Sequence, residues 1–345
     1  MKDKIVTIKD VAFEAGVSVA TASRALAGYG YVKENTRRKV LEAAKKIDYH
    51  YNLVAKSLRT NKTQTIGYLL PDITNPFFAD IARGIQDFAF SRGYTVIICN
   101  NDNDNIKTQL LMKMFIRNRV GGIIYSTPYN DALKQMVETT RKNGIPTVNC
   151  YGSTRINASD VITADATMGC YKAMKYLLEL GHRHIAILKV RGSGISKRRL
   201  EGCKKAFTEF GLEMNPDLIV EADDFTQRSG FRSAKLLFNQ PNIPSALFAF
   251  SEQLAMGVLK AAKSEGIAIP RDMSLIGVDD MIADLLDPPL TSLSIPTYEV
   301  GHAAASLLFD RIEKRKNDSP PRCMLMDETL TVRDSTGSLR TAISL

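Results

Sequence analysis

Along residues 7–27 apolar positions recur at helical spacing and then break. Val11, Ala12 and Ala15 share one face, Gly16 interrupts it, Ser18 follows as a good N-cap, and a run of small residues continues to Leu26. This pattern predicts two short helices joined by a tight turn at Ala15-Gly16-Val17, with a third helix starting near Thr36. Past the polar junction Asn61-Lys62-Thr63-Gln64 the periodicity changes. Apolar runs at 65–70, 95–100, 121–126 and 146–150 alternate with helix-length amphipathic stretches, and the rhythm restarts at 184–190, 218–222, 246–250 and 273–278. Runs of this kind between helices predict parallel strands covered on both faces, and two rounds of them predict two similar α/β subdomains. A helix is expected from about Tyr298 to Lys314, ended by Pro320-Pro321. Residues 324–336 then alternate like one strand, and the chain is expected to cross between subdomains near Ala164, Ser294 and Met326. From Ser335 onward it is expected to fray.

Charge sharpens the division. Residues 1–62 hold thirteen Lys and Arg against six Asp and Glu, while the remainder of the 345-residue chain holds 33 against 31. A basic module on a near-neutral body suits neutralisation of phosphates and salt-sensitive binding to nucleic acid. In its second helix Ala20, Thr21 and Ser23 are small enough to approach a groove wall, and Arg24 reaches further toward a base edge or phosphate. Arg37-Arg38-Lys39 follow the expected start of the third helix, where free N–H groups and cations could both meet phosphate. On these residues alone, an ordinary helical hairpin with a solvated charged face remains open.

Composition, at 44% hydrophobic and 24% charged, is that of a globular protein with ample core. The five cysteines, at 99, 150, 170, 203 and 323, are scattered and contain no Cys-x-x-Cys, so reduced, mostly buried thiols are expected. No run of eighteen apolar residues occurs, and MKDKIVTIKDVA lacks the apolar stretch of a signal peptide. A cytoplasmic, nucleoid-associated protein with no membrane partner is expected.

Open parallel sheets bind ligands beyond the carboxyl ends of their strands, so two facing subdomains would enclose a cleft. Asn75-Pro76-Phe77-Phe78 follows the first strand and could present an aromatic face, or simply fill the core. Arg199 follows strand 184–190 and Asp279 follows strand 273–278. They could pair and bracket hydroxyl groups, the plainer reading being a surface salt bridge. Enzyme signatures are weak. Arg191-Gly192-Ser193-Gly194 lacks the third glycine of a dinucleotide fingerprint because position 197 is Lys, and no phosphate-binding G-x-x-x-x-G-K-[ST] occurs. His182-Arg183-His184 reads as structural, with no third metal ligand in sight, and no nucleophile–base arrangement stands out. No catalysis, cofactor or metal is expected.

The segments TIKDVAFEAGVSVATASRAL, NLVAKSLR and IPRDMSLIGVDD resemble the lac repressor/galactose repressor (LacI/GalR) family over about the whole chain. The resemblance implies a helix-turn-helix DNA-binding domain with a hinge helix at about 52–60, spanning 1–62. It also implies a periplasmic-binding-protein-like core of two Rossmann-like subdomains, one from 63–164 with 296–325 and the other from 165–295 with 326–338. Thr7 and Ile8 would start the first helix near the DNA backbone. Ser18, Val19, Ala20, Thr21, Ser23 and Arg24 would form the recognition helix, and Tyr31 would approach DNA from the following loop. Asn52, Ala55 and Leu58 would belong to the hinge helix, with Leu58 wedged into the minor groove. In the cleft, Phe77 and Phe78 would form an aromatic wall, Arg199 and Asp279 would recognise hydroxyls, and Phe225 would stack opposite, joined by Tyr151 and Ser251.

Departures from the family pattern are Ala27-Gly28 for Asn-Gly, Tyr51 for Pro before Asn52, Glu252 for a common Asp, and Tyr151 for a ligand-contacting Asp. The last two would suit a less hydroxylated, bulkier or acidic ligand. The implied function is a homodimeric repressor of a pseudo-palindromic double-stranded DNA operator, released by a sugar or sugar derivative in the cleft. The alternative is a core that docks a partner protein, for which the helix around Arg311, Lys314, Arg315 and Lys316 is the candidate surface.

Overall fold

The computed structural model describes residues 6–27, 30–49, 63–127, 131–151, 159–314 and 320–339. They fall into two compact units, Met1–Gln64 and Thr65–Leu345.

The first unit is three helices, α1 (Ile8–Glu14), α2 (Val19–Ala27) and α3 (Glu34–Lys46). Val11 and Ala12 of α1, Ala22 and Ala25 of α2, and Val40, Ala43 and Ala44 of α3 form its core. With alanines at most of these positions the helices can approach closely. Gly16 takes φ +64° at the α1–α2 turn, a conformation that favours glycine because it has no Cβ. Helix α3 begins at Glu34, earlier than expected, so Arg37 lies within its first turn. The Arg37 N–H is spent on the Lys33 carbonyl at 3.0 Å, so it is not among the free donors of that helix start.

In the second unit the strands build two six-stranded sheets. The first, ordered β11-β5-β4-β3-β1-β2, comprises β1 (Thr65–Leu70), β2 (Thr95–Asn100), β3 (Ile123–Tyr125), β4 (Thr147–Cys150), β5 (Asp160–Ala164) and β11 (Cys323–Met326), all parallel. The second, ordered β12-β10-β9-β8-β6-β7, comprises β6 (Ile185–Val190), β7 (Ile219–Ala222), β8 (Ala246–Ala249), β9 (Ser274–Asp279), β10 (Thr291–Ser294) and β12 (Thr329–Thr331). Only β12 in this sheet runs antiparallel to its neighbour. Helices α4 (Pro76–Ser91), α5 (Asn105–Arg117), α6 (Asp131–Lys142) and α11 (Thr297–Lys314) cover the first sheet. Helices α7 (Ala166–Glu179), α8 (Gly194–Glu209), α9 (Gln227–Phe238) and α10 (Glu252–Glu265) cover the second.

Alternation along β1 shows how the layers form. Ile66, Tyr68 and Leu70 enter the core with α4 and α11, while Leu69 faces the core holding Met112, Phe115 and Val137 of α5 and α6. The α4–α11 core continues through Cys170, Ile187, Phe248 and Val278, so both sheets of this unit share one apolar cluster. Helices pair by close backbone approach: a Cβ on Gly84 of α4 would lie 2.1 Å from the Tyr298 carbonyl of α11, and one on Gly301 would lie 2.1 Å from that of Ile81.

Two expectations are corrected. Residues 324–336 do not form one strand: β11 pairs with β5 in the first sheet and β12 with β10 in the second, with Asp327-Glu328 as the link between sheets. Nor does the chain fray over residues 335–339. Ser335 is buried, its N–H donates to the Pro289 carbonyl at 3.0 Å, and its Oγ donates to the Leu275 carbonyl at 2.6 Å and accepts from Thr291 N–H at 2.8 Å. Gly337 N–H donates to Ser274 Oγ and Leu339 N–H to the Leu180 carbonyl, each at 3.0 Å. The strands at 160–164 and 291–294 are additional to the runs read from sequence. Thr291 and Ser292 are fully buried polar residues there, which masks the apolar signal. The cysteines are free, with Cys150, Cys170 and Cys203 buried and Cys323 exposed.

Candidate functional site

In the three-helix unit the turn chemistry sets which side chains face outward. At the start of α1 the Asp10 carboxylate accepts from the Thr7 N–H at 2.8 Å and from its hydroxyl at 2.6 Å, so Thr7 is engaged in capping. Ile8 packs on the helical core. Ser18 caps α2, its Oγ accepting from Thr21 N–H at 3.1 Å and sharing a hydrogen bond with the Thr21 hydroxyl at 2.9 Å. Because Ala22 and Ala25 turn inward, Val19, Ala20 and Arg24 form the outward face of α2, with Thr21 and Ser23 half-buried at its margin. Arg24 Nε reaches back to the Ala20 carbonyl at 3.3 Å. Tyr31, after α2, is 86% exposed. The face is shallow, with one long cation and one aromatic tip. Asn52, Ala55 and Leu58 lie outside the described residues, as do Arg315 and Lys316.

In the α/β unit the loops after several strands converge on one buried guanidinium. Arg199, in the second turn of α8, is 2% exposed. Its Nη1 donates to the Phe250 carbonyl just past β8, and its Nη2 donates to Tyr151 Oη, just past β4, at 3.0 Å. Asp279, the last residue of β9, lies 3.9 Å from Nη2, and Arg199 Nε has no hydrogen-bond partner. Tyr151 packs edge-on against Phe77 with ring centres 4.6 Å apart, and Phe78 meets Phe77 edge-on at 5.1 Å. Asn75 sets these aromatics by capping α4, its side chain accepting from Phe77 N–H at 3.1 Å. Tyr151 and Asp279 both hold left-handed backbone, at φ 59° and 103°. Strained positions of this kind persist where the surroundings over-determine them, and they cluster at binding sites.

Burial dominates the electrostatics. It pushes the Asp279 carboxyl up to about 7, with the Arg199 guanidinium offsetting only part of the shift and Glu252 adding to it. Burial also raises Glu252, whose Oε1 accepts from Ile282 N–H at 3.0 Å, and raises the Tyr151 phenol above its ordinary range. For Arg199 burial works against the charge, but Tyr151, Asp279 and Glu328 more than reverse it, so the guanidinium stays charged. The result is one fixed cation beside the Asp279 carboxyl and the Tyr151 phenol, groups that burial biases toward their neutral forms. Such a set can donate to and accept from hydroxyl groups in a dry environment.

Of the expected cleft residues, Phe77, Phe78, Tyr151, Arg199 and Asp279 come together. Phe225 packs half-buried on the core holding Leu188 and Leu247, and the Ser251 hydroxyl caps α10, accepting from Leu254 N–H at 3.1 Å. Glu328 is a neighbour of Arg199 that the sequence reading passed over, and its only trace there is an acid inside an apolar alternation. Arg311, one of the four cations of the surface expected around it, is spent on Asp160 at 2.6 Å and 3.0 Å and so is not a docking cation. His182 is structural: Nδ1 meets Ser245 Oγ at 3.0 Å, while Nε2 meets Ser274 Oγ at 3.1 Å and the Gly337 carbonyl at 3.0 Å. Among the described residues no helix is long and apolar enough to cross a membrane.

Comparison with known proteins matches both units. Residues 7–52 match the profile of bacterial regulatory proteins of the lacI family, and 174–336 match the periplasmic binding protein-like domain. The chain is 35% identical to catabolite control protein A of Priestia megaterium, over 91% of this chain and 95% of that protein. Among solved structures it resembles the lac repressor dimer bound to operator and the anti-inducer ONPF, with TM-score 0.86, 25% identity, and coverage of 97% of this chain and 100% of that one. It also resembles a LacI family transcriptional regulator from Enterococcus faecium with bound ribose, with TM-score 0.71, 29% identity, and coverage of 80% and 100%.

Proposed function

The chain belongs to the LacI family of DNA-binding transcriptional regulators, and from that premise we propose that it is a repressor switched by a sugar or sugar derivative held at Arg199. The observation that carries the ligand reading is the convergence on Arg199 of Tyr151, Asp279 and the Phe250 carbonyl from three separate strand ends. A buried cation with a neighbouring carboxyl and phenol and an aromatic wall at Phe77 and Phe78 suits a ring that is apolar on its faces and hydroxylated at its edge. The ribose-bound relative adds weight to this class.

The DNA-reading face is assigned to Val19, Ala20 and Arg24, with Thr7, Ile8, Ser18, Thr21, Ser23 and Tyr31 setting or flanking it, and with Asn52, Ala55 and Leu58 as hinge positions. Val19 and Ala20 favour thymine methyls, and Arg24 a base edge or phosphate. A two-fold operator requires a dimer. Switching follows as population shift: a ligand that favours one relative orientation of the two subdomains changes the fraction of dimers able to hold both recognition helices on DNA. Release by ligand is the expected sign.

The test uses the full chain. An operator is selected from random duplex DNA, and binding is measured by fluorescence anisotropy with and without sugars that raise the melting temperature. A ligand at a hundredfold its Kd adds about 2.7 kcal/mol to the stability of the protein. Arg199→Ala and Asp279→Ala are expected to abolish the sugar response and leave operator affinity intact. A normal response in both would remove the assignment. Silence of the wild type across sugars, sugar phosphates and sugar acids would turn attention to control by a partner protein.

A further inference from the structure

Asp279 ends β9 at φ 103° and Asp280 follows at φ 62°, so two successive non-glycine residues hold left-handed backbone beside the Arg199 guanidinium. Such conformations persist where surrounding contacts over-determine them. Two acids supply those contacts. Glu252, at the start of α10, is buried, and its Oε1 accepts from Ile282 N–H at 3.0 Å, downstream of the turn. At the turn itself, Asp280 Oδ1 accepts from Arg333 Nη1 at 2.6 Å, in a pair whose side chains are only 9% and 19% exposed.

Arg333 is itself fixed at both ends. Its Nη1 also donates to the Leu290 carbonyl at 2.7 Å, its backbone N–H donates to Thr291 Oγ1 at 2.9 Å, and its carbonyl accepts from that hydroxyl at 3.0 Å. Thr291 opens β10, which lies beside β9 in the second sheet, so the cation is a fixed point on the strand next to the turn. A charge-assisted hydrogen bond of 2.6 Å, largely shielded from water, is strong and directional. The contact of Asp279 with Arg199, at 3.9 Å, is longer than a hydrogen bond and holds the turn less firmly. The Asp279 carboxyl therefore takes its aim from its backbone, and that backbone is tied down through Asp280.

We propose that Asp280 and Arg333 are positioning residues for the ligand site, their ion pair holding the left-handed turn that aims the Asp279 carboxyl at Arg199 and at a ligand. This rests on the effector reading above. Without the pair, residues 279 and 280 relax toward ordinary backbone, and the Asp279 carboxyl moves off the guanidinium. The body of β9 stays paired with β8 and β10, so the loss falls on ligand binding rather than on the sheet.

The experiment uses the full chain. Ribose, glucose, gluconate and glucose 6-phosphate are screened by thermal melting of the wild type, and the Kd of the best stabiliser is measured by titration calorimetry. Asp280→Gly accepts left-handed backbone and removes the anchor, and is expected to weaken that Kd about tenfold. Arg333→Met should do the same, and the double variant should lose no more than about twofold beyond either alone. Asp280→Asn keeps an acceptor for Arg333 and tolerates the same φ, so its Kd should stay within about threefold of wild type. Operator affinity without ligand should hold in all four, which separates aim from general damage. An unchanged Kd in Asp280→Gly and Arg333→Met would overturn the proposal, as would Asp280→Asn binding as weakly as Asp280→Gly, or a matching loss of operator affinity. Should Arg333→Met not fold, Asp280→Gly decides; failure of both to fold makes the pair a structural one and overturns the proposal. If none of the four compounds stabilises the wild type, the effector reading falls and this proposal with it, whereas wild-type binding with unaffected variants sinks this proposal alone.

Discussion

Replacing Asp160 with Asn is expected to loosen the last strand of the first sheet. The Asp160 side chain is fully buried at the start of β5 and accepts four hydrogen bonds: from Arg311 Nε at 3.0 Å and Nη2 at 2.6 Å, and from Arg322 N–H at 2.8 Å and Nη2 at 2.9 Å. Arg322 immediately precedes β11, so this carboxylate pins the returning chain beside β5. Breaking one partner of a buried ion pair costs about 3–5 kcal/mol. The Arg322 side chain is 42% exposed and screened by water, and Asn retains one acceptor, so the expected loss is nearer ~2–3 kcal/mol.

Burial works to raise the Asp160 carboxyl, but its hydrogen bonds to Arg311 and Arg322 outweigh that and hold it below its ordinary value. Its stabilisation is thus present above the unfolded-state pKa of about 3.9 and lost as pH falls through the lower folded value. The assay is urea denaturation followed by far-UV circular dichroism at pH 7 and at steps below pH 4, comparing transitions of the α/β unit. The difference between wild type and Asp160→Asn should be full at pH 7 and shrink in acid. A difference under about 0.5 kcal/mol at pH 7 would refute the reasoning, as would one that does not shrink in acid.

Three further outcomes are expected. Gly84→Ala would place a Cβ 2.1 Å from the Tyr298 carbonyl and force α4 from α11, lowering stability by about 3 kcal/mol; an unchanged melting temperature would contradict the packing. His182→Ala would release the C-terminal segment, seen as faster amide exchange at Gly337 and Leu339. Burial holds His182 below its ordinary value, so its contribution is present above about pH 6.5 and lost as pH falls toward the folded value; the variant should lack that acid-side decline. Arg24→Ala should weaken operator binding by about 1–3 kcal/mol, with relaxed sequence preference if Arg24 reads a base or a salt slope smaller by about one if it meets phosphate; unchanged affinity would remove Arg24 from the DNA face.

The amino-acid order alone carries the local elements and the family. Gly16 and Ser18 mark the turn and cap between α1 and α2, and the apolar runs at 65–70 and 95–100 coincide with β1 and β2, because backbone conformation and burial period are written into neighbouring residues. The crossings expected near Ala164, Ser294 and Met326 coincide with passages between the two sheets. The split of 324–336 into β11 and β12 was not legible, since one alternation serves either sheet and long-range pairing decides which. Burial of Ser335 depends on partners 44 to 60 positions away, capture of Arg311 by Asp160 on residues 151 apart, and the pairing of α4 with α11 on close approach at Gly84 and Gly301. Pairing of that kind is settled when loops close and side chains exclude water together. Only the tertiary structure therefore decided which acids share the one buried guanidinium.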